Sequence, residues 1–149
     1  MAAKHVWTAF VPPVASFVAG GVLLWAAVHK LAMPDPAFRS LSWAFSDQAA
    51  GTLLVLLVCI EFALAISLLL VPGRRSTLGL AAVLFMVFVL WMIAQQVANA
   101  PVPCGCGMAS SAVSNSVYHE RALGIGRSSG LAAISMVGVF FASCKVRSP

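Results

Sequence analysis

The chain has 149 residues, of which 61% are hydrophobic and only 9% are charged. Because soluble domains contain about 25% charged residues, this composition excludes an ordinary soluble domain and indicates an integral membrane protein. Nine lysine and arginine residues against four acidic residues give a net charge of +5. We attribute this positive charge to loops that lie beside anionic lipid. A nucleic-acid partner is excluded because no basic tract contains interleaved aromatic residues.

Four apolar stretches are long enough to cross a bilayer, since a span requires about 20 residues. They cover approximately residues 10–32, 49–71, 77–98 and 126–144. Pro12 and Pro13 predict that the first helix begins there, because proline is tolerated in the first turn. The sequence therefore predicts an all-α membrane protein whose residues 1–149 form a single four-transmembrane-helix bundle in the lipid bilayer.

The first long connection, residues 33–48, contains an amphiphilic stretch from Phe38 to Phe45. This pattern predicts a short interfacial helix between the first two spans. The second long connection, residues 99–127, then lies on the same side of the membrane. The basic residues slightly favour a topology in which both termini and the short Arg74-Arg75 turn are cytoplasmic, with the second long connection on the outer face.

Cys104 and Cys106 are separated by Gly105 and followed by Gly107. Two cysteines at this spacing can face each other only in a tight turn, which the glycines permit. A disulfide across one residue closes a small ring, and strained disulfides tend to be labile and oxidising. We therefore interpret the pair as redox-active. A static bridge in a glycine-rich loop is the structural alternative.

Metal binding is a second alternative for the same loop. Cys104, Cys106 and Met108 are soft ligands that suit Cu(I), and His119 could complete a site. However, Cys-x-Cys alone lacks the paired Cys-x-x-Cys elements of structural zinc sites. No metal is therefore assigned.

Glu61 interrupts the second span near its middle. An acidic residue at this depth is costly and marks a functional site by default, with a partner to be named. Lys30, near the end of the first span, is the predicted partner, across a vertical gap of roughly 10 Å that water or His29 would bridge. The pair could move protons or tune a neighbouring redox group, and a protonated Glu61 that only supports packing is the alternative.

Other features have structural interpretations. Cys59 and Cys144 are predicted to be small buried hydrophobic residues. Gln95 and Gln96, at the end of the third span, are predicted to be solvated at the interface, with a polar pocket as the alternative. Glycines permit close helix approach at two places. These are Gly20-Gly21 and the Gly126-x-x-x-Gly130 spacing.

Several of these landmarks together resemble the DoxX/MauE group of four-helix membrane proteins. They are His29-Lys30-Leu31 followed by Pro34-Asp35-Pro36-Ala37-Phe38, then Glu61 within the second span, and Cys104-Gly105-Cys106-Gly107. The last element is similar to the Cys-Gly-Cys-Phe-Gly motif of methylamine-utilisation protein E, although Gly107 and Met108 stand where that motif has phenylalanine. Either Arg121 or Arg127 matches the basic residue that often precedes the last helix of the group.

The resemblance implies a redox-associated protein of the bacterial inner membrane that helps to form disulfides in exported proteins. Its implied partner is a thioredoxin-like redox protein or an exported disulfide-containing protein, and other membrane subunits are further candidates. Cys104, Cys106, Glu61 and Lys30 are the implied site residues. No cofactor is certain, but the group is broadly similar to the four-helix core of vitamin K epoxide reductase, which implies a quinone as candidate electron acceptor.

Two other functions stay open from the sequence. The chain could be an accessory or structural subunit of a larger membrane complex, with a static cysteine loop. It could also be a Cu(I)-binding membrane protein. Whether the chain acts as an enzyme by itself is left open.

Overall fold

The computed structural model of the chain describes residues 2–98, 100 and 117–146, with side chains over 10–98, 100 and 125–140. This part of the chain is entirely helical outside short connections, so the all-α fold class is confirmed for it. The helices are α1 (Ala2–Ala32), α2 (Asp35–Ser42), α3 (Asp47–Leu70), α4 (Arg75–Val97) and α5 (Val117–Val146).

Three of these helices are long and apolar enough to cross a membrane. The spans are Phe10–Ala32, Asp47–Leu70 and Arg75–Val97, and a shorter apolar segment, Ile125–Phe140, lies within α5. Many large apolar side chains on the outer faces are exposed, including Val55 of α3 and Leu90 of α4. A surface of this kind is suited to lipid contact. The chain is thus a multi-pass membrane protein.

The start of α1 differs from the prediction. The helix begins at Ala2, and Pro12 and Pro13 lie inside it, although interior prolines remove a hydrogen-bond donor and crowd the preceding turn. The turn after α3 packs against this part of α1, because the Gly73 N–H donates to Ser16 Oγ at 2.8 Å. Gly73 has φ +84°, a conformation that favours glycine.

The helices form a bundle in which α1 packs mainly against α3 and α5, and α4 mainly against α5. Direct contact between α3 and α4 is slight by comparison. The apolar core lies in the half of the bundle nearest the turn between α3 and α4. It is built mostly from small and aliphatic side chains: Ala15, Ala19, Leu23, Ala65, Leu68, Leu78, Ala81, Phe85, Leu131 and Ala132.

The predicted short helix between the first two spans exists as α2, but it begins earlier than Phe38 and ends before Phe45. Pro36 lies in its first turn, where proline favours helix initiation. The helix packs against α3. Its position at the membrane interface remains a prediction.

Only one of the four glycines expected to allow close helix approach does so in the described structure. A Cβ on Gly20 would lie 3.1 Å from Leu69 Cγ and 3.2 Å from Leu68 Cβ, so α1 and α3 approach closely there. A Cβ on Gly21, Gly126 or Gly130 would meet no atom of the described residues within 4 Å. The Gly126-x-x-x-Gly130 spacing therefore does not serve packing within this part of the chain.

We expect Gly20→Leu to destabilise the bundle by roughly 1–3 kcal/mol, because a larger side chain would force α1 and α3 apart. Gly21→Leu is the matched control, since the same change on the next residue enters open space and gains helix propensity. Thermal unfolding of the purified variants in detergent checks the difference. Equal melting temperatures for the two variants would contradict the close packing at Gly20.

Candidate functional site

Lys30 and Glu61 form a buried ion pair in the interior of the bundle. Lys30 Nζ donates to Glu61 Oε1 at 2.6 Å, and the two side chains are 4% and 0% exposed. They are the only buried charged side chains in the part of the chain whose side chains are described. The predicted pairing is thus confirmed. Its catalytic role remains a prediction.

The predicted vertical gap between the two residues is wrong, because the side chains touch without water or His29 between them. Glu61 lies about 20 Å along α3 from Asp47, at a rise of ~1.5 Å per residue, whereas Lys30 lies close to the end of α1. Direct contact therefore requires the start of α3 to extend well past the end of α1 along the bundle axis. The connection that contains α2 spans this offset.

Each member of the pair has unused hydrogen-bonding capacity. Glu61 Oε2 is buried and has no hydrogen-bond partner among the described residues. The Lys30 ammonium carries three donors, one of which goes to Glu61, and its nitrogen lies 5.4 Å from the centroid of the Phe88 ring, within cation–π range. The pair thus offers a free acceptor beside a cation whose donors are only partly used.

A second polar cluster joins α2 to the last two turns of α4. Ser40 Oγ accepts hydrogen bonds from Gln95 Nε2 at 2.7 Å and from Trp91 Nε1 at 3.1 Å. The Ser40 carbonyl also accepts from Gln95 Nε2 at 3.3 Å. The Trp43 ring packs edge-on against the Trp91 ring at a centroid distance of 6.2 Å, and the Phe45 ring stacks against the Trp91 ring at 6.1 Å. These contacts fix α2 to the end of α4 from which the connection with Cys104 and Cys106 departs.

The contacts of Ser40 were not predicted from the sequence, and the predicted solvation of Gln95 at the interface is wrong, because Gln95 is buried. The signal was present in the spacing of Phe88, Trp91 and Gln95, since residues at i, i+3 and i+7 share one face of a helix. In the structure, Phe88 on this face of α4 contacts Lys30, whereas Trp91 and Gln95 on the same face donate hydrogen bonds to Ser40. One stripe of α4 therefore links both polar clusters.

We expect Ser40→Ala to destabilise the protein by about 1–3 kcal/mol for each donor that loses its acceptor, because Trp91 and Gln95 would both be affected. Ser42→Ala makes the same chemical change on the same helix, where the hydroxyl reaches only the Arg39 carbonyl at 3.3 Å, and should change stability by less than about 0.5 kcal/mol. Thermal unfolding followed by tryptophan fluorescence checks both. Similar losses in the two variants would contradict the importance of the cluster.

Residues 7–141 match the family described as methylamine utilisation protein MauE. This chain belongs to the MauE family. The matched region contains Lys30, Glu61 and both cysteines of the Cys-Gly-Cys segment. Membership indicates a membrane accessory protein of methylamine utilisation, while the wider DoxX grouping remains a resemblance. No curated protein and no solved structure is significantly similar to the chain.

The cysteines of this MauE-family chain divide into two groups. Cys104 and Cys106 lie outside the described residues, so their redox pairing and the Cu(I) alternative with Met108 remain predictions. Cys59 is described, and it is exposed rather than buried as predicted, because its position on α3 faces outward while Glu61 faces the interior. The side chains of Cys144 and His119 are outside the described set.

No group of three or more His, Cys, Asp and Glu side chains that could hold a metal ion occurs among the described residues. The buried ion pair is the candidate functional site within that part of the molecule. It combines a desolvated charge pair, an unpaired carboxylate oxygen and an adjacent aromatic ring. Such intramembrane charges are rare in proteins that only need to pack.

Proposed function

We propose that this MauE-family chain is a membrane thiol–disulfide redox component that works with a thioredoxin-like partner in the maturation of exported proteins. The observation that carries the proposal is the family match, which includes the Cys104-Gly105-Cys106 segment and the buried pair of Lys30 and Glu61 in one chain. A charge pair kept in the membrane interior is costly, which favours a chemical role over a purely structural one.

Thiol–disulfide exchange supplies the chemistry. A thiolate of the reduced partner attacks the Cys104–Cys106 disulfide, and a mixed disulfide forms as one of these two sulfurs leaves. The second partner thiolate then displaces the mixed disulfide. The partner is oxidised by two electrons, and Cys104 and Cys106 become a dithiol.

Reoxidation of this dithiol releases two electrons and two protons, so it requires an acceptor for both. A quinone is the candidate class, because a bound quinone would supply a two-electron, two-proton acceptor that dissolves in the membrane.

Ser40, Trp91 and Gln95 hold the end of α4 from which the cysteine segment departs. The end of α4 that precedes the cysteine segment in the chain is therefore held against α2.

The test is to trap the partner. In a Cys106→Ala variant, the Cys104 thiolate can attack the disulfide of the oxidised partner, which is the reverse of the exchange above. The mixed disulfide should then persist until an added dithiol releases it, because no Cys106 thiol is present to resolve it. Mass spectrometry of the trapped protein should identify a thioredoxin-like or exported cysteine-containing partner. Cys59→Ala is the control and should trap nothing. If instead a large membrane complex copurifies without any dithiol-sensitive link, the accessory-subunit alternative replaces the redox proposal.

In the proposed topology, four spans carry the chain across the bacterial inner membrane, and α5 provides the fourth over residues 126–144. The apolar segment Ile125–Phe140 and the 30-residue length of α5 support this count. Both termini and the Arg74-Arg75 turn then lie in the cytoplasm, α2 lies in the outer interface, and the cysteine segment faces outward. An oxidising compartment outside the membrane suits a disulfide there.

We expect a membrane-impermeant maleimide to label Cys104 or Cys106 in reduced, intact cells. A background with Cys59→Ala and Cys144→Ala restricts the signal to the pair. The physical basis is that an impermeant reagent reaches only thiols on the outer face. Labelling that occurs only after lysis would reverse the orientation and remove the argument from the oxidising compartment.

A further inference from the structure

We propose that the Lys30–Glu61 pair is a lateral binding site for the headgroup of a membrane-soluble quinone or quinol. The site is built from the free Oε2 atom of Glu61, the unused donors of Lys30 and the ring of Phe88. The assignment of this ligand as the electron acceptor rests on the proposed function. Binding itself does not depend on the cysteines.

The hydrogen-bonding groups of the pair are not all satisfied by the described residues. A buried carboxylate oxygen without a partner is rare in native proteins and calls for a donor that the described residues do not supply. Lys30 can donate to a further oxygen, because Glu61 Oε1 takes only one of its three N–H groups. A quinone carbonyl can accept from Lys30, and a quinol hydroxyl can donate to Glu61 Oε2. The residues present therefore fit both redox forms of the headgroup.

A headgroup can reach the pair from the lipid by passing between α3 and α4. Lys30 of α1 contacts Glu61 of α3 and lies over the Phe88 ring of α4, and α3 and α4 contact each other only slightly. Phe88 on α4 is half-buried, so part of its side chain is accessible from outside the bundle. The neighbours of Glu61 in sequence, Ile60 and Phe62, are exposed apolar residues of α3. An apolar tail can therefore remain in lipid while a polar headgroup enters between α3 and α4.

The position of the pair along the bundle also supports binding of a quinone headgroup. The apolar core occupies the half of the bundle nearest the turn between α3 and α4, whereas Lys30 lies near the opposite end of α1. In the chain, α2 follows this end of α1, and the connection with Cys104 and Cys106 follows the end of α4 that contacts α2. A headgroup at Lys30 and Glu61 thus lies in the half of the membrane from which the cysteine segment departs. Water is the other source of a hydroxyl for Glu61 Oε2, and the experiment must separate the two.

The experiment measures binding of a decyl-substituted benzoquinone to the purified full-length protein in detergent, by quenching of tryptophan fluorescence. Decylbenzene, which has the same tail and no ring oxygen, is the probe control. We expect saturable quenching by the benzoquinone in the wild type and in the Cys104→Ala/Cys106→Ala double variant. Lys30→Met and Glu61→Gln should each weaken binding at least about 10-fold, since charged hydrogen bonds contribute about 1.5–3 kcal/mol. Asp47→Asn, an acid-to-amide change at the exposed start of α3, should leave binding unchanged.

Two measurements decide the outcome even if a variant does not fold. In the wild type, benzoquinone binding should shift the infrared carboxylate bands, and the shift should be absent with decylbenzene. If the wild type binds the benzoquinone no better than decylbenzene, or if folded Glu61→Gln binds it with wild-type affinity, the site holds water only and the inference is overturned. Loss of thiol exchange with quinone binding intact would instead overturn the proposed function and leave this site standing.

Discussion

Glu61→Lys should abolish accumulation of folded protein in the membrane. The change would place two ammonium groups in the position where Lys30 and Glu61 now touch at 2.6 Å in a buried site. Removal of one partner from a buried ion pair already costs about 3–5 kcal/mol, and like charges in place of opposite charges add repulsion in a region of low dielectric. We therefore expect a larger loss than for any other single substitution considered above. Quantitative immunoblotting of membrane fractions and thermal unfolding of any recovered protein measure it.

The control for Glu61→Lys is Asp47→Lys, which makes a comparable reversal of charge at an exposed residue in the first turn of α3. The loss there should stay near the 0.3–1 kcal/mol that a carboxylate contributes at a helix start. Glu61→Gln should be tolerated better than Glu61→Lys, because a neutral amide avoids an unpaired buried charge of like sign. Normal levels of Glu61→Lys protein would contradict the buried pair.

A double-mutant cycle separates the pair's stability from its chemistry. Lys30→Met leaves a buried carboxylate and Glu61→Gln leaves a buried ammonium group, so each single change should destabilise the fold. The double variant removes both charges and should recover much of the loss, because neutral replacement of a buried ion pair is often close to neutral for stability. If the double variant folds well but fails in maturation of the exported partner, the pair has a chemical role. Full activity of that variant would assign the pair to packing.

The helices and the charge pair could be predicted from the sequence because each rests on a strong local signal. Long apolar runs indicate spans, and a lone acid within one of them requires a partner, which left Lys30 as the nearest candidate. The depth of the contact could not be predicted. It depends on how far α2 and the following turn displace the start of α3 from the end of α1, and this offset is set by packing of α2 on α3.

The Ser40 cluster could not be predicted because a serine in a short helix gives no signal by itself. Its role depends on Trp91 and Gln95, which are more than 50 positions away in the sequence. Cys59 shows the opposite error, since the general preference of cysteine for buried sites gave the wrong answer in a membrane protein. In lipid an outward-facing position is also apolar, so the hydrophobic character of a side chain does not decide between the interior and the outside of the bundle.

The proposed function depends most directly on the cysteine pair. Cys104→Ala and Cys106→Ala should each abolish thiol–disulfide exchange, because neither single cysteine can close or reopen the intramolecular disulfide. Both variants should retain the wild-type melting temperature in the reduced state, because Cys104 and Cys106 lie in a predicted connection rather than in a predicted span, and small substitutions outside a packed core usually change stability by less than about 0.5 kcal/mol. The redox state of the exported partner, measured by alkylation and gel shift, reports the loss.

Cys59→Ala is the matched control for these variants, since it removes one thiol from an exposed position of α3 and should leave exchange unchanged. The pair should also be reduced by mild dithiol, because a disulfide across a single residue closes a small ring and strained bridges have oxidising potentials. Suppose that both single variants mature the exported partner at the wild-type rate. Electrons then do not pass through Cys104 and Cys106, and the family's accessory role must be carried out through binding alone.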